Sequence, residues 1–375
     1  MVAATHLLPE QSGLLAKALA EATDYTPQVD ENIQTMRGWK HVSTPPSLLP
    51  FLVYEYGLGE LSPYVPNLFD LIEQGIRWQR VRGTPDALDK GLGFVGYAGT
   101  LEEMPTRWRR WNLFMLELDR LRDAEDPDLE RIDGIANLSV PLRSYFWRGF
   151  KDYDVRALEL GRKKLGAVLL GSFSGVRIEG VDAKWSFGRL YQAAIGLTEA
   201  ELTQLDAWIV DGGGASLTWG NFSWVEAAAS WSDPAAAVRS RLMITSLLNR
   251  SIWFEFRNAA DEVIGYRKAR FARPVSPLVG GRYTFGGAAY EIDTNAPTSL
   301  LVEALTGFGE GGGQIATSAG LIFDTEPADV AKPGLLWAGP NELTNLSVPV
   351  AVQTGLNIEF GKTVRERLRV RLTVV

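Results

Sequence analysis

The sequence predicts an α+β protein of several domains, with an N-terminal helical domain followed by one or two β-rich, sandwich-like domains. Three observations carry this expectation. The chain has 375 residues, too many for one ordinary core, so two or three domains are expected. As far as about Arg122, apolar residues recur every three or four positions, the period of an amphipathic helix. Beyond the charged run at 122–134, which carries proline and glycine, short β-prone runs alternate with turn signals; GAVLLG, GVRIEGV, AKWSFGR, SIWFEFR and VIGYRKARF are examples. The boundaries read from these changes are a helical domain at 1–125, a linker at 126–154, a β-rich domain with one helix at 155–273, and a C-terminal β-rich domain at 274–375.

The helices can be taken in order. Ser12 stands where it can cap a helix carrying Leu14, Leu15, Ala18, Leu19 and Ala22 on one face. A second stripe, Leu48, Leu49, Leu52, Val53 and Tyr56, stops at Gly57, a residue that tolerates the left-handed conformation of a helix terminus. Asn67 precedes Leu68, Leu71, Ile72, Ile76 and Gln79, and Gly83 closes that stretch. Thr84 and Pro85 restart the chain at once, with a hydroxyl cap and then proline at the first helical position, where its missing N–H costs nothing. GLGFVGYAG at 91–99 reads as a turn–strand–turn link because of its glycines. A last helix is expected from a cap at Thr106, with Trp108, Trp111, Met115 and Leu118 at helical spacing.

In the β-rich part, Thr198 and Glu201 form a capping-box spacing ahead of Leu202, Leu205 and Trp208, so a helix is expected there. In SIWFEFRNAADEVIGYRKARF, Ile252, Phe254 and Phe256 alternate with Trp253, Glu255 and Arg257, and residues 258–261 supply turn chemistry. A hairpin with one buried face follows. LNIEFGKTVRERLRVRLTVV repeats the plan of strand, turn and strand. That similarity raises the expectation of two related β modules meeting near Pro274, although alternation by itself specifies only a half-buried strand.

Composition narrows the function. Hydrophobic residues make up 46% of the chain, which supports folded domains, and the net charge is -7. A nucleic-acid partner would need a concentrated basic face, so none is expected. There is no cysteine, which excludes disulfides, thiolate zinc sites and cysteine nucleophiles. No leader segment is apparent and no apolar run is long enough to cross a bilayer, so a soluble protein assembled in the cytoplasm, without membrane insertion, is expected. The two histidines, His6 and His41, lie in the N-terminal segment away from any metal-ligand spacing, so neither a triad nor a histidine metal site is expected.

Other candidates for chemistry are weak. GGG at 212–214 and GEGGG at 309–313 lack the Gly-Lys-Ser/Thr of a phosphate cradle and read as flexible loops, the second with the alternative of a tip that orders on assembly. The carboxylates between Asp123 and Asp133 read as a solvated linker. No pair is spaced for acid–base work and no calcium-loop periodicity occurs. No catalytic residue, cofactor or metal is therefore expected. Trp219, Trp224 and Trp231, set among glycine, asparagine and serine, offer the one ligand hypothesis, stacking on sugar rings; packing under loops or into a neighbouring subunit explains them better.

The ordered set LLPEQSGLLAKALAEAT (7–23), LLPFLVYEYG (48–57) and RGTPDAL (82–88) resembles the phage tail protein I family (P2-like), baseplate wedge proteins of contractile tails. The residues that carry the resemblance are Leu48, Leu49, Pro50, Leu52, Tyr54, Glu55, Tyr56 and Gly57, then Arg80, Arg82, Gly83, Thr84, Pro85 and Leu88. They cover the first third of the chain. The resemblance implies a structural virion protein of the tail baseplate whose N-terminal helices pair with a larger wedge subunit, three chains to a wedge and six wedges around a hub. The C-terminal β domains would then serve tail-fibre attachment or contact with neighbouring wedges. Trp78, Arg80, Arg82, Trp108 and Trp111 are the candidate interface residues, since tryptophan beside arginine is the composition of an interface hot spot. The alternative reading is a glycan-binding receptor module using Trp219, Trp224 and Trp231; a polysaccharide hydrolase ranks third, for want of a carboxylate pair.

Overall fold

The computed structural model describes residues 8–9, 11–25, 29–34, 45–104, 111–154, 173–198, 200–201, 241, 244–248, 250–329, 331–332, 334–346 and 349–374. The chain divides into two compact units, one comprising residues 1–96 with 138–141, the other 97–137 with 142–375. The fold is α+β, with N-terminal helices followed by sheets.

The first unit is helical. Its helices are α1 (Leu14–Ala22), α2 (Leu49–Glu55), α3 (Leu68–Val81) and α4 (Pro85–Phe94). The N-cap of α1 is Gly13, one residue later than Ser12, and no side chain caps it. At the end of α2 the Leu58 N–H donates to the Val53 carbonyl at 2.9 Å while Gly57 sits at φ +66, the six-to-one closure that a left-handed residue permits. The Asn67 side chain accepts the Phe69 N–H at 3.1 Å and so caps α3. Gly75 in the middle of α3 faces Leu58, and a β-carbon there would lie 3.0 Å from a Leu58 methyl group. The link after α2 can approach α3 this closely only where the helix has no side chain. Thr84 is the N-cap of α4 by position, yet its hydroxyl turns back to donate to the Val81 carbonyl at 2.7 Å. α4 runs through Gly91 and Gly93, where a turn–strand–turn link was expected. Ala87, Leu88, Gly91 and Leu92 form one buried stripe, and that burial outweighs the roughly 1 kcal/mol helix penalty of each glycine.

The second unit is built on two large sheets. A nine-stranded sheet has the order β1 (Gly99–Glu103), β2 (Leu113–Leu118), β3 (Tyr145–Lys151), β4 (Lys184–Leu197), β16 (Val364–Val374), β10 (Ser299–Leu305), β7 (Phe271–Pro277), β9 (Ala288–Ile292), β8 (Tyr283–Phe285). A five-stranded sheet has the order β13 (Trp337–Ala338), β6 (Val263–Lys268), β5 (Ile252–Arg257), β11 (Ile315–Phe323), β15 (Val350–Glu359). β12 (Glu326–Pro327) and β14 (Leu343–Thr344) form a small ribbon. The main core lies where the inward residues of the two sheets meet. Leu300, Val302, Leu368, Val370 and Leu372 come from the larger sheet, and Ile252, Phe254, Phe256, Leu321 and Ile358 from the smaller.

The division into two compact units falls at other points than the boundaries read from the sequence. The helix expected from Thr106 is β2 instead over 113–118, and Thr106 and Trp108 lie outside the described residues. LFMLEL is an almost continuous apolar run, which suits a strand covered on both faces as well as a helix face; pairing with β1 and with parallel β3 decides the matter. The supposed linker at 126–154 holds the helix α5 (Asp128–Ser139), which buries Leu129, Ile132, Ile135 and Ala136, and the strand β3. No boundary falls near Pro274 either. β4 pairs with β16 in parallel, and β5 and β6 share a sheet with β11 and β15, so strands from either side of that point interleave.

Two hairpin expectations are corrected in the same way. β5 and β6 do form a hairpin, with the Asn258 side chain accepting the N–H groups of Ala260 and Glu262 in the turn. Both of its faces are covered, however: Trp253 and Tyr266 enter a second cluster with Ile322, Ala338 and Leu343. β15 and β16 are consecutive but do not pair; the chain crosses from the small sheet to the large one between them. Among the described residues the duplication of two β modules therefore has no structural counterpart. The capping box at Thr198 forms as expected, with the Thr198 N–H donating to Glu201 at 2.7 Å and the Glu201 N–H to the Thr198 hydroxyl at 3.4 Å, while residues 202–208 lie outside the described residues.

Charged groups buried in the second unit are held by ion pairs and hydrogen bonds, several of them to partners distant in sequence. Arg148 is wholly buried and bidentate on Asp154; its Nε donates to the Ser174 carbonyl at 2.7 Å and Nη2 to the Ser174 hydroxyl at 2.8 Å. Arg189 reaches Glu366 across the β4–β16 pair. The run from Asp123 to Asp133, read as solvated, takes part in the packing. Glu125 accepts from the Thr363 N–H at 2.8 Å and from Arg122 at 2.8 Å, and the Tyr97 hydroxyl donates to Asp128 at 2.7 Å.

Candidate partner interface

The interface residues expected from sequence divide by where the fold puts them. Trp78 is only 2% exposed, and its indole N–H donates to the Ser139 hydroxyl at 3.0 Å. Arg82 stacks over that indole at 5.2 Å, donates from Nε to the Leu138 carbonyl at 2.9 Å and pairs with Glu60 at 3.0 Å. The Gly83 N–H, at a residue with φ +89, donates to the Ser139 carbonyl at 2.9 Å. Residues 78–83 thus clamp the segment 138–141, which belongs to the first unit although it is distant in sequence. Trp78 and Arg82 are accordingly engaged inside the unit. Arg80 is exposed and makes no hydrogen bond or ion pair among the described residues. Trp111, in the second unit, is 51% exposed. Trp108, Trp219, Trp224 and Trp231 lie outside the described residues.

The first unit presents a different set of side chains outward. On α2, Leu49, Leu52 and Val53 are buried, while Phe51 and Tyr54 are 72% and 89% exposed. Three residues apart, the two rings are neighbours on the side of the helix away from its core. No residue of α1 is buried, and Leu14, Leu15 and Leu19 all stand in solvent. A helix of nine residues is too short to hold itself together in water, since isolated helices below roughly 12–15 residues are marginal. α4, by contrast, turns Asp86 and Asp89 outward and has no second apolar stripe. Of the two helices, α2 alone has an apolar arc wider than one face. The signal lies in LPFLVYE, which is apolar nearly all the way round.

Electrostatics offer no reactive constellation. Asp133 is the carboxylate most displaced, raised to about 6 by burial while backbone N–H groups of Ala183 and Asp182 pull the other way. Its Oδ1 has no hydrogen-bond partner. Tyr97 is pushed up to about 12, first by burial and then by its hydrogen bond to Asp128. Both belong to the packing around α5. Among the described residues no group of three or more His, Asp or Glu side chains could hold a metal ion, and no helix is long and apolar enough to cross a membrane. The glycine run at 309–313, expected as a flexible loop, is a set of turns anchored by Glu310, which accepts from the Gly307 N–H and pairs with Arg267. Gly311 lies directly under the Phe360 ring.

No curated protein matches the chain. The family comparison covers residues 8–143, which include the whole described part of the first unit and residues 97–137 of the second. Residues 8–143 match the model of a phage tail protein family, Tail_P2_I.

Proposed function

We propose that the chain is a wedge subunit of a contractile phage-tail baseplate, acting by assembly, and that its first unit is the part that enters the wedge. The observation that supports this reading is α1, a short helix with exposed leucines and no buried residue, beside an α2 whose Phe51 and Tyr54 face solvent. Apolar surface of this kind on a structural tail component is suited to a helical partner, which would supply the burial that α1 lacks. The partner is a larger wedge subunit, with three chains to a wedge and six wedges in the ring. The β-rich second unit is then available for tail-fibre attachment, for hub contacts or for neighbouring wedges.

The test is co-expression of the full chain with the other proteins of the same tail, followed by size-exclusion chromatography. The wild-type chain is expected to elute in a stable complex. The double substitution Phe51→Ser with Tyr54→Ser is expected to abolish that complex while changing stability by no more than about 0.5 kcal/mol, because both rings are exposed. A wild-type chain that stays alone with every tail protein would contradict the proposal.

A further inference from the structure

The face of the nine-stranded sheet turned away from the main core carries a row of arginines. On β16, Arg365, Arg367, Arg369 and Arg371 alternate with Glu366, Leu368, Val370 and Leu372, so all four guanidiniums lie on one face at about 6.8 Å intervals. Arg273 on β7 joins them, stacked on Phe271 at 4.6 Å and Tyr283 at 5.3 Å. The carboxylate paired with this row is Glu303, which accepts from Arg369 at 2.6 Å and lies 3.8 Å from Arg367. The other contacts of the row are neutral: Arg365 donates to the Thr306 carbonyl, Arg367 stacks on Tyr153 at 4.1 Å, and Arg371 donates to the Tyr290 hydroxyl.

Five cations therefore line up beside Glu303, with Glu310 acting on Arg365 at one end, in a chain whose overall charge is -7. The Nε groups of Arg367 and Arg371 are buried and have no hydrogen-bond partner. Burial draws the guanidinium pKa of Arg365 and Arg367 below its ordinary value, and neighbouring guanidiniums add to the effect. Half-buried like charges are costly to keep, which makes the row an electrostatic frustration that an anion would relieve.

Beside this row lies an open strand edge. β3 pairs with β4 only over Lys184–Phe187. From there to Leu197, β4 has β16 on one side and, among the described residues, no strand on the other. Leu190, Gln192 and Ala194 are in register with Arg367, Arg369 and Arg371 and share their face. The first is 47% exposed and the other two are exposed. Tyr153 closes one end of the stretch over Gly188, and the β8–β9 turn meets Gln192 through the Thr284 carbonyl and the Gly286 N–H.

We infer that this edge is a docking site for an extended acidic segment of a partner protein, which adds to β4 as a further strand and turns a carboxylate toward the arginine row at every second residue. A strand repeats its side chains on one face at the same interval as the arginines, so charge and register match together. Planar guanidiniums favour carboxylates, which they bind through two parallel hydrogen bonds. The inference concerns the second unit and does not depend on the wedge reading.

The experiment uses the full chain and a fluorescent decapeptide with glutamate at alternate positions and valine or threonine between them, followed by anisotropy. Controls are a peptide of the same composition with its glutamates contiguous, and a short DNA duplex. The alternating peptide should bind, more weakly as salt rises, and Arg367→Gln should weaken it roughly tenfold, the worth of one charge-assisted bond, without lowering the melting temperature. Leu190→Glu places a carboxylate in register with Arg367 and should both raise the melting temperature and compete with the peptide. Equal binding of the contiguous peptide, binding of duplex in place of peptide, an affinity indifferent to Arg367→Gln, or no binding together with no stabilisation by Leu190→Glu would each overturn the inference.

Discussion

Asn67 caps α3 by a bond spanning two residues, whereas the pair Arg189–Glu366 joins residues 177 apart. That contrast separates the two units. In the first, most ends are settled by residues next to the helix they close, as at Gly57, Asn67 and Pro85. In the second, partners come from distant sequence: Arg148 from Ser174, Glu125 from Thr363, Glu303 from Arg369. The first unit leaves apolar rings in water and the second draws charges into its interior. Exposed apolar rings suit a partner surface, and a large twisted sheet with few helices uses buried charge to fix which strands meet.

The contrast is most easily broken at Arg148. Asp154→Ala leaves a wholly buried guanidinium without its counter-ion and should cost about 3–5 kcal/mol, read as a fall in the denaturant midpoint. A loss below about 1 kcal/mol would mean that buried ion pairs do not hold the second unit. Local caps sharpen the other side. Asn67→Ala should cost about 1 kcal/mol. Thr84→Ala should cost less, because the Thr84 hydroxyl bonds backward to Val81 and caps nothing in α4.

The smallest effect concerns pH. The folded-state pKa of Asp133, about 6, exceeds its unfolded value of 3.8, so its contribution to stability is complete below pH 3.8 and is lost as pH rises through 6. Asp133→Asn keeps an acceptor for the backbone N–H groups and has no proton to lose. The variant should therefore gain on the wild type between pH 4 and pH 7, by up to about 1 kcal/mol, as followed by thermal melting at several pH values. A difference independent of pH would remove Asp133 from the account.

Legibility in the sequence follows the same division. The three helices between Leu49 and Phe94 were visible because cap, stripe and terminator lie within a few residues of each other. What failed there failed for tertiary reasons: Gly91 and Gly93 are helical because Leu88 and Leu92 are buried, and Trp78 is an internal clamp because Ser139 comes back to meet it. The hairpin at Asn258 was readable from its turn, but the crossing of the chain from β15 to β16 was not, since alternation says nothing about which sheet a strand joins. The charged run at 122–134 misled most. Its residues look solvated one by one, and only the fold brings Glu125 to Thr363 and Tyr97 to Asp128. The candidate interface was half legible, because an all-round apolar α2 announces a second contact face without saying that Phe51 and Tyr54 form it.

The central claim, that the chain is a wedge subunit entering a phage baseplate through its helical first unit, is tested most directly by an electron cryo-microscopy map of the intact purified tail. The account predicts density for the chain in the wedge ring, with α1 and the Phe51–Tyr54 side of α2 covered by another chain. Absence of the chain from purified tails, or a position in which those residues face solvent, would contradict it.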